Sequence, residues 1–412
     1  MLKLKSHFSF YKILNVFLRI SGIGSKFLVF TLLSKEFSNS DFGNYSLLIS
    51  LITIMIFILG IDFYNFSIRD ILKTNNKDEI RNKISSKFVF FLIVYLFFSA
   101  LGFFVFKELS YTKNYVIFVV FLCITEHLSQ EVYRLLIGFN KILSANILLF
   151  IRTMGWSLVV FYFAYNRISF TIKNVLQLWL FANTVTILYV FFVTLKKEAN
   201  NLFRIKIDFK WIKNGLNVCY VFFVSTVFLK LTEYSNRFIV NYFLGEEITG
   251  VFTFYSTIAI LITVYINTVV ISFELPELIK SSETFHINKL FSKFKKSLLI
   301  QIAVISVLLL LIIKPILYWQ NKEEFKEFLP LLFFMIIGVS LMNYSLFYHF
   351  KLYIKHLDKK LLKIMVVSGS ISILLCVIFT YFFGVYGAGT AFALSGLLLY
   401  FMRLKEANKV VL

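Results

Sequence analysis

The sequence predicts an all-α, polytopic membrane protein of about twelve transmembrane helices. Three observations lead there: 59% hydrophobic residues with a mean hydropathy of +0.80, only three prolines in 412 residues, and twelve separate apolar stretches. Each stretch approaches the ~20 residues that a spanning helix needs. The first six lie at about 8–33, 43–67, 88–106, 115–137, 144–165 and 174–195. The second six lie at about 215–243, 249–273, 297–318, 329–350, 361–383 and 387–404. The 52 phenylalanines and 22 tyrosines are spread over the chain, as lipid-facing and interfacial side chains are.

Charge sets the expected orientation. With the N-terminus in the cytoplasm, cytoplasmic segments hold 29 of the 43 basic residues and outer loops hold 8, including Lys35, Lys107 and Lys322. That asymmetry predicts both termini inside. It also explains the formal charge of +21 without nucleic acid, which is not an expected partner. Lys3, Lys5 and Lys12 precede an apolar run that Arg19 interrupts, so a retained first helix is expected and not a signal peptide. The connections are short, with no room for an extramembrane catalytic or nucleotide-binding domain. Cys123, Cys219 and Cys376 all fall in apolar stretches, which predicts small core residues and no disulfide. Cys123 and His127 are four residues apart, but no further ligands converge, and no metal is expected.

Six cations remain inside the apolar stretches: Arg19, Lys26, Arg134, Arg152, Lys230 and Arg237. Each costs roughly 2.5–3.5 kcal/mol at the centre of an inserted helix, so a cavity that needs them is expected. Only Asp62, Glu126, Glu131 and Glu233 lie at comparable positions, and the surplus of positive charge implies an anionic ligand. On the first span Asn15, Arg19, Gly22 and Lys26 share a face. They read as a wall for phosphate or sugar, or else Lys26 snorkels to the interface. On the seventh span Thr226, Lys230, Glu233, Arg237 and Asn241 share a face, either as a ligand wall or as a structural ion pair. On the fourth, Arg134 can pair with Glu131 beside His127 and Glu126. Arg152 either neutralises that helix or faces the cavity. Asp62, Glu126 and Glu233 are the carboxylates available for proton or sodium coupling, and Asp62 is equally placed to pair with Arg19 or Arg152. Asn15, Asn183, Tyr234, Asn236 and Asn241 are candidate sugar contacts.

The two halves repeat. The turn after the first span reads Ser38-Asn-Ser-Asp-Phe-Gly-Asn-Tyr-Ser46, and the turn after the seventh reads Glu246-Glu-Ile-Thr-Gly-Val-Phe-Thr253. Gly43 then matches Gly250 at an offset of 207, close to half the chain, and Lys197-Glu-Ala-Asn200 recurs as Lys405-Glu-Ala-Asn408 at 208. Two lobes, 1–206 and 207–412, are expected in the parallel-repeat plan of several transporters, with the ligand between them.

Arg19-Ile-Ser-Gly-Ile-Gly-Ser-Lys26, Asp41-Phe-Gly-Asn-Tyr45, Gly60-Ile-Asp62 and Arg69-Asp70-Ile71 resemble the start of polysaccharide repeat-unit flippases. These are the O-antigen (Wzx-type) members of the multidrug/oligosaccharidyl-lipid/polysaccharide exporter superfamily. Asn236-Arg-Phe-Ile-Val240, Pro276 and Gly384-Val-Tyr-Gly-Ala-Gly389 extend the resemblance through the second half. It implies two six-helix lobes around a central cavity, in a bacterial inner-membrane protein that moves an undecaprenyl-diphosphate-linked oligosaccharide from the cytoplasmic to the outer leaflet by alternating access. It implies no nucleotide hydrolysis and no resident cofactor. A polysaccharide polymerase and a chain-length regulator are the expected protein partners, besides membrane lipids. The cationic set would be Arg19, Lys26, Arg69, Arg134, Arg152, Lys230 and Arg237. Asn236 stands where relatives often carry an acidic residue, with Glu233 one turn earlier.

Two other classes compete. A membrane polymerase or glycosyltransferase would use the same lipid-linked substrate but needs a large outer loop, which this sequence lacks. A drug or metabolite exporter of the same superfamily would need a cavity richer in acidic groups for cationic drugs.

Overall fold

Two glycines decide how the longest apolar stretches become spans. In the computed structural model, which describes residues 2–190, 192, 206–280 and 287–410, helix runs unbroken by hydrogen-bond pattern over Phe209–Ile266 and over Asp358–Ala407. At 1.5 Å per residue the first would be ~87 Å long, far beyond a ~30 Å hydrocarbon core. Gly245, at φ 82°, and Gly384, at φ 60°, turn the two runs. Only glycine adopts that region without strain. Beyond the second turn a Cβ on Gly387 would lie 1.9 Å from the Phe379 carbonyl oxygen, so the returning helix packs backbone against backbone.

Among the described residues the order is α1 (Leu2–Glu36), α2 (Asn39–Gly60), α3 (Tyr64–Lys73), α4 (Lys77–Glu108), α5 (Val116–Gly138), α6 (Ile142–Tyr165) and α7 (Ile172–Val190). Then come α8 (Phe209–Ile266), a π-helical turn (Asn267–Ile271), α9 (Ser272–Lys280), α10 (Ile287–Gln320) and α11 (Glu323–Glu327). The chain closes with α12 (Pro330–Tyr344), α13 (Leu346–Ile354) and α14 (Asp358–Ala407). Among the described residues eight stretches, including α8 continued through α9 and α12 joined to α13, are long and apolar enough to cross a membrane. The glycine turns divide two of these, and α1 and α7 carry the first and sixth predicted stretches, so each of the twelve, as far as it is described, lies mainly on helix.

The second span is shorter than predicted. It stops at Gly60, and Ile61 and Asp62 both take left-handed φ values, 47° and 49°. Phe63 N–H donates to the Gly60 carbonyl at 2.9 Å and Asn65 N–H to the Asp62 carbonyl at 3.0 Å, which closes the turn into α3. Asp62 therefore sits in a buried turn and not within a helix.

The chain divides into two compact units: residues 1–36 with 48–223, and residues 37–47 with 224–412. In the first, α3 is tied down by Asp70. Its carboxylate accepts from Trp211 Nε1 at 2.8 Å and lies 2.7 Å from Lys83 Nζ. Phe63 and Phe66 meet the Trp211 ring with centroids 5.5 and 5.4 Å away, and a Cβ on Gly215 would lie 2.5 Å from Phe63. In the second unit α12 and α14 approach through Gly338 and Gly396, where a Cβ on Gly396 would fall 2.4 Å from the Gly338 oxygen. Close approach through small residues is how helices gain contact where lipid offers no hydrophobic drive.

Candidate functional site

The buried charges gather into clusters in which cations outnumber carboxylates. The first lies among α1, α5, α6 and α7. Glu126, 2% exposed, points Oε1 toward Lys26 Nζ at 3.5 Å and Arg152 Nε at 3.7 Å, while Oε2 accepts from Trp179 Nε1 at 3.2 Å. Arg152 thus faces α5, the fourth span. Lys26 Nζ also lies 5.9 Å from the Trp179 ring centroid, and its side chain is 45% exposed. Asn183, one turn beyond Trp179, donates to Thr125 Oγ1 at 3.5 Å. Between α6 and α1, Asn146 Nδ2 donates to Asn15 Oδ1 at 2.7 Å. The Arg19 side chain lies outside the described residues, as does the Lys197–Asn200 repeat.

Glu131 centres the second cluster. It is fully buried, bonded by Arg134, with Lys87 Nζ at 2.6 Å and His127 Nε2 at 3.7 Å. His127 Nδ1 faces the Tyr95 hydroxyl at 2.7 Å, and the Arg134 guanidinium lies 3.8 Å over the Tyr64 ring. Lys87 lies one residue before the predicted stretch 88–106 and so counts among the expected cytoplasmic basic residues, yet it is wholly buried and is Glu131's ion-pair partner. The reverse holds for Arg69, which projects from α3 as an exposed residue and joins neither cluster.

In the second unit, Lys230 Nζ lies 2.6 Å from Glu233 Oε2, one turn along α8. Arg237, 3% exposed, stacks 4.8 Å from the Tyr234 ring centroid and donates to Ser256 Oγ at 3.2 Å and Thr257 Oγ1 at 3.5 Å. Asn236 is also 3% exposed and lines a small cavity with Thr232, Ser235, Ser372, Cys376, Phe392 and Ser395. Neither atom of its amide has a hydrogen-bond partner, and Asn241 Oδ1 is likewise buried without one. Arg403, at the end of the predicted stretch 387–404, is a further buried cation. It is 4% exposed, bonded through Nη1 to Ser345 Oγ at 2.7 Å at the joint between α12 and α13.

Each of these carboxylates therefore faces a local excess of positive charge. Glu126 meets Lys26 and Arg152, and Glu131 meets Lys87 and Arg134. Glu233 pairs with Lys230 while Arg237 follows one turn on. Among the described residues no group of three or more histidine, cysteine or acidic side chains is arranged to hold a metal. What the clusters can do is present ammonium and guanidinium groups to oxyanions, the guanidinium by a fork of parallel donors.

The profile of a family described as polysaccharide biosynthesis protein matches residues 13–281. No curated protein matches the sequence. Among solved structures, a multidrug resistance MATE family transporter of the MOP superfamily in an inward-facing conformation superposes with a TM-score of 0.78 at 12% identity, over 93% of this chain and 96% of that one. The lipid II flippase MurJ in an inward closed conformation gives 0.74 at 15% identity, over 97% of this chain and 87% of that one. At these identities the likeness is one of fold.

Proposed function

The chain belongs to the polysaccharide biosynthesis protein family, and from that premise we propose that it is a flippase for a lipid-linked oligosaccharide of surface-polysaccharide assembly. In this reading it is the Wzx-type flippase of an O-antigen or related polymer in a bacterial inner membrane, with both termini cytoplasmic. It takes an undecaprenyl-diphosphate-linked repeat unit from the cytoplasmic to the outer leaflet by alternating access between two six-helix lobes. Membrane lipids surround it, and the polymerase and chain-length regulator act on what it delivers.

The observation that carries the reading is the excess of buried cations over carboxylates, with Lys26 and Arg152 sharing Glu126. A diphosphate brings at least two negative charges into the membrane, and their desolvation is offset only where cations stand without full neutralisation. Asn15, Asn183, Tyr234, Asn236 and Asn241 add amide and hydroxyl groups for sugar. A solved lipid flippase shares the fold. Transport needs no bond-making chemistry, so the protein is read as a non-enzyme. Glu126, Glu233 and Asp62 remain the carboxylates proposed for proton or sodium coupling.

Deleting the gene tests this. Lipid-linked repeat units should accumulate where a membrane-impermeant lectin added to spheroplasts cannot reach them. Accumulation of single units within the lectin's reach would overturn the reading and point to a polymerase.

A further inference from the structure

Around Glu126 the donors exceed what the protein itself satisfies. Arg152 is 6% exposed, and its Nε and Nη1 have no hydrogen-bond partner. Trp156 lies one turn along α6, is 4% exposed, and its Nε1 is also without a partner. Residues four apart share a helix face, so the two unmet groups are neighbours. The Trp156 ring stacks on Trp179 with centroids 6.0 Å apart and planes at 25°, and Trp179 is the indole that contacts the carboxylate. Trp179 has spent its N–H on Glu126 Oε2, and Trp156 has not.

A buried donor without an acceptor is costly, a charged one more so, and native proteins seldom leave several together. Lys26 and Arg152 against Glu126 leave one positive charge over. The Lys26 side chain is 45% exposed, whereas Arg152 and Trp156 are buried. All of these residues belong to the first unit.

We propose that Arg152 and Trp156, with the more exposed Lys26, form a binding site within the first unit for one small anionic acceptor. Its chemistry is a single negative charge on an atom that takes two or more N–H donors. The source is a halide or phosphate ion from solution, or one phosphoryl group of a lipid-linked head group. The second source rests on the flippase reading; the site itself does not.

The purified protein, held in gluconate at constant ionic strength, is titrated with chloride, inorganic phosphate or geranyl diphosphate. Tryptophan fluorescence and melting temperature are followed, since two of the four tryptophans flank the site. A saturable response is expected with at least one probe. Trp156→Phe keeps the stacked ring and removes the N–H, and it should weaken binding by about tenfold, the scale of a hydrogen bond to a charged group. Arg152→Gln should weaken it by more, and Arg152→Lys should fall between. Saturation by chloride or phosphate alone assigns a resident free ion, and saturation by geranyl diphosphate assigns the phosphoryl group. No saturable response to any probe, or unchanged affinity in both Trp156→Phe and Arg152→Lys, overturns the proposal. Loss of flipping in cells with anion binding intact would separate the two functions. Failure of the deletion test with anion binding intact would reject the flippase and leave this site standing.

Discussion

Gly43 and Gly250 pack by the same rule in opposite directions. A Cβ on Gly43 would lie 1.9 Å from the Glu246 carbonyl oxygen, and a Cβ on Gly250 would lie 2.8 Å from the Asn39 carbonyl oxygen. The glycines are 207 residues apart, and so are Asn39 and Glu246. Each turn thus offers its glycine to the carbonyl four residues before the other's, which is a local two-fold relationship built from a sequence repeat. Ser40 Oγ and Asn44 Nδ2 both donate to Glu246 Oε2, at 2.6 and 2.7 Å, and Lys322 Nζ holds the Phe37 carbonyl at 2.6 Å.

The two contacts differ in tightness, so alanine should not be equal at the two sites. Gly43→Ala forces backbones apart and is expected to destabilise by about 1–3 kcal/mol, the cost of overpacking. Gly250→Ala should cost less. Melting temperatures of the purified variants measure the order, and equal or inverted values would contradict the geometry.

That repeat was readable because it recurs at a fixed offset, and the twelve spans were readable because hydropathy is a local property. The partners of buried charges were not. Lys87 closes a basic run, Arg69 to Lys87, that looks solvated by composition, and its counter-charge Glu131 lies on another helix. Arg403 resembles its neighbours Lys405 and Lys409, but the helix turn it occupies faces Ser345 and Met365. Trp156 and Trp179 carried no signal beyond apolarity. Packing α6 against α7 stacks the two indoles, and packing α7 against α5 brings Trp179 to Glu126.

The Lys87–Glu131 pair yields an asymmetric prediction. Removing Lys87 leaves Glu131 with Arg134, whereas removing the carboxylate leaves Lys87 and Arg134 without a counter-charge. Breaking a buried pair costs about 3–5 kcal/mol when one charge is stranded. Glu131→Gln should therefore melt lower than Lys87→Met, and yield less folded protein in membranes. Equal melting temperatures would count against the shared carboxylate.

Asp70 gives a pH signature outside the spans. Partial burial pushes its carboxyl pKa up, but the bonds from Lys83 and Trp211 outweigh that and hold it below the ordinary 3.8. A lowered folded value means the group stabilises above its unfolded pKa and loses that contribution as pH falls through the folded one. The melting-temperature gap between wild type and Asp70→Asn should be constant near neutrality and close below about pH 4. A gap that persists undiminished at pH 3 would show that the carboxylate charge is not what ties α3 down.

Arg237 separates charge from geometry in the second unit. Its guanidinium stacks on Tyr234 while donating to Ser256 and Thr257, which a lysine ammonium cannot reproduce. If the arginine is there to receive phosphoryl oxygens, Arg237→Ala should abolish surface polysaccharide at normal membrane abundance, and Arg237→Lys should keep a fraction of about a tenth, one hydrogen bond's worth. Tyr234→Phe keeps the stacked ring but removes the hydroxyl proposed for sugar, so it should lower transport less than Arg237→Ala does. Glu233→Gln frees Lys230 from its ion pair and adds to the excess charge, so it should tighten binding of the diphosphate head while slowing release. Polysaccharide on the cell surface, quantified against protein in the membrane, measures all four. Full activity in Arg237→Ala would remove the second unit's cation from the transport path.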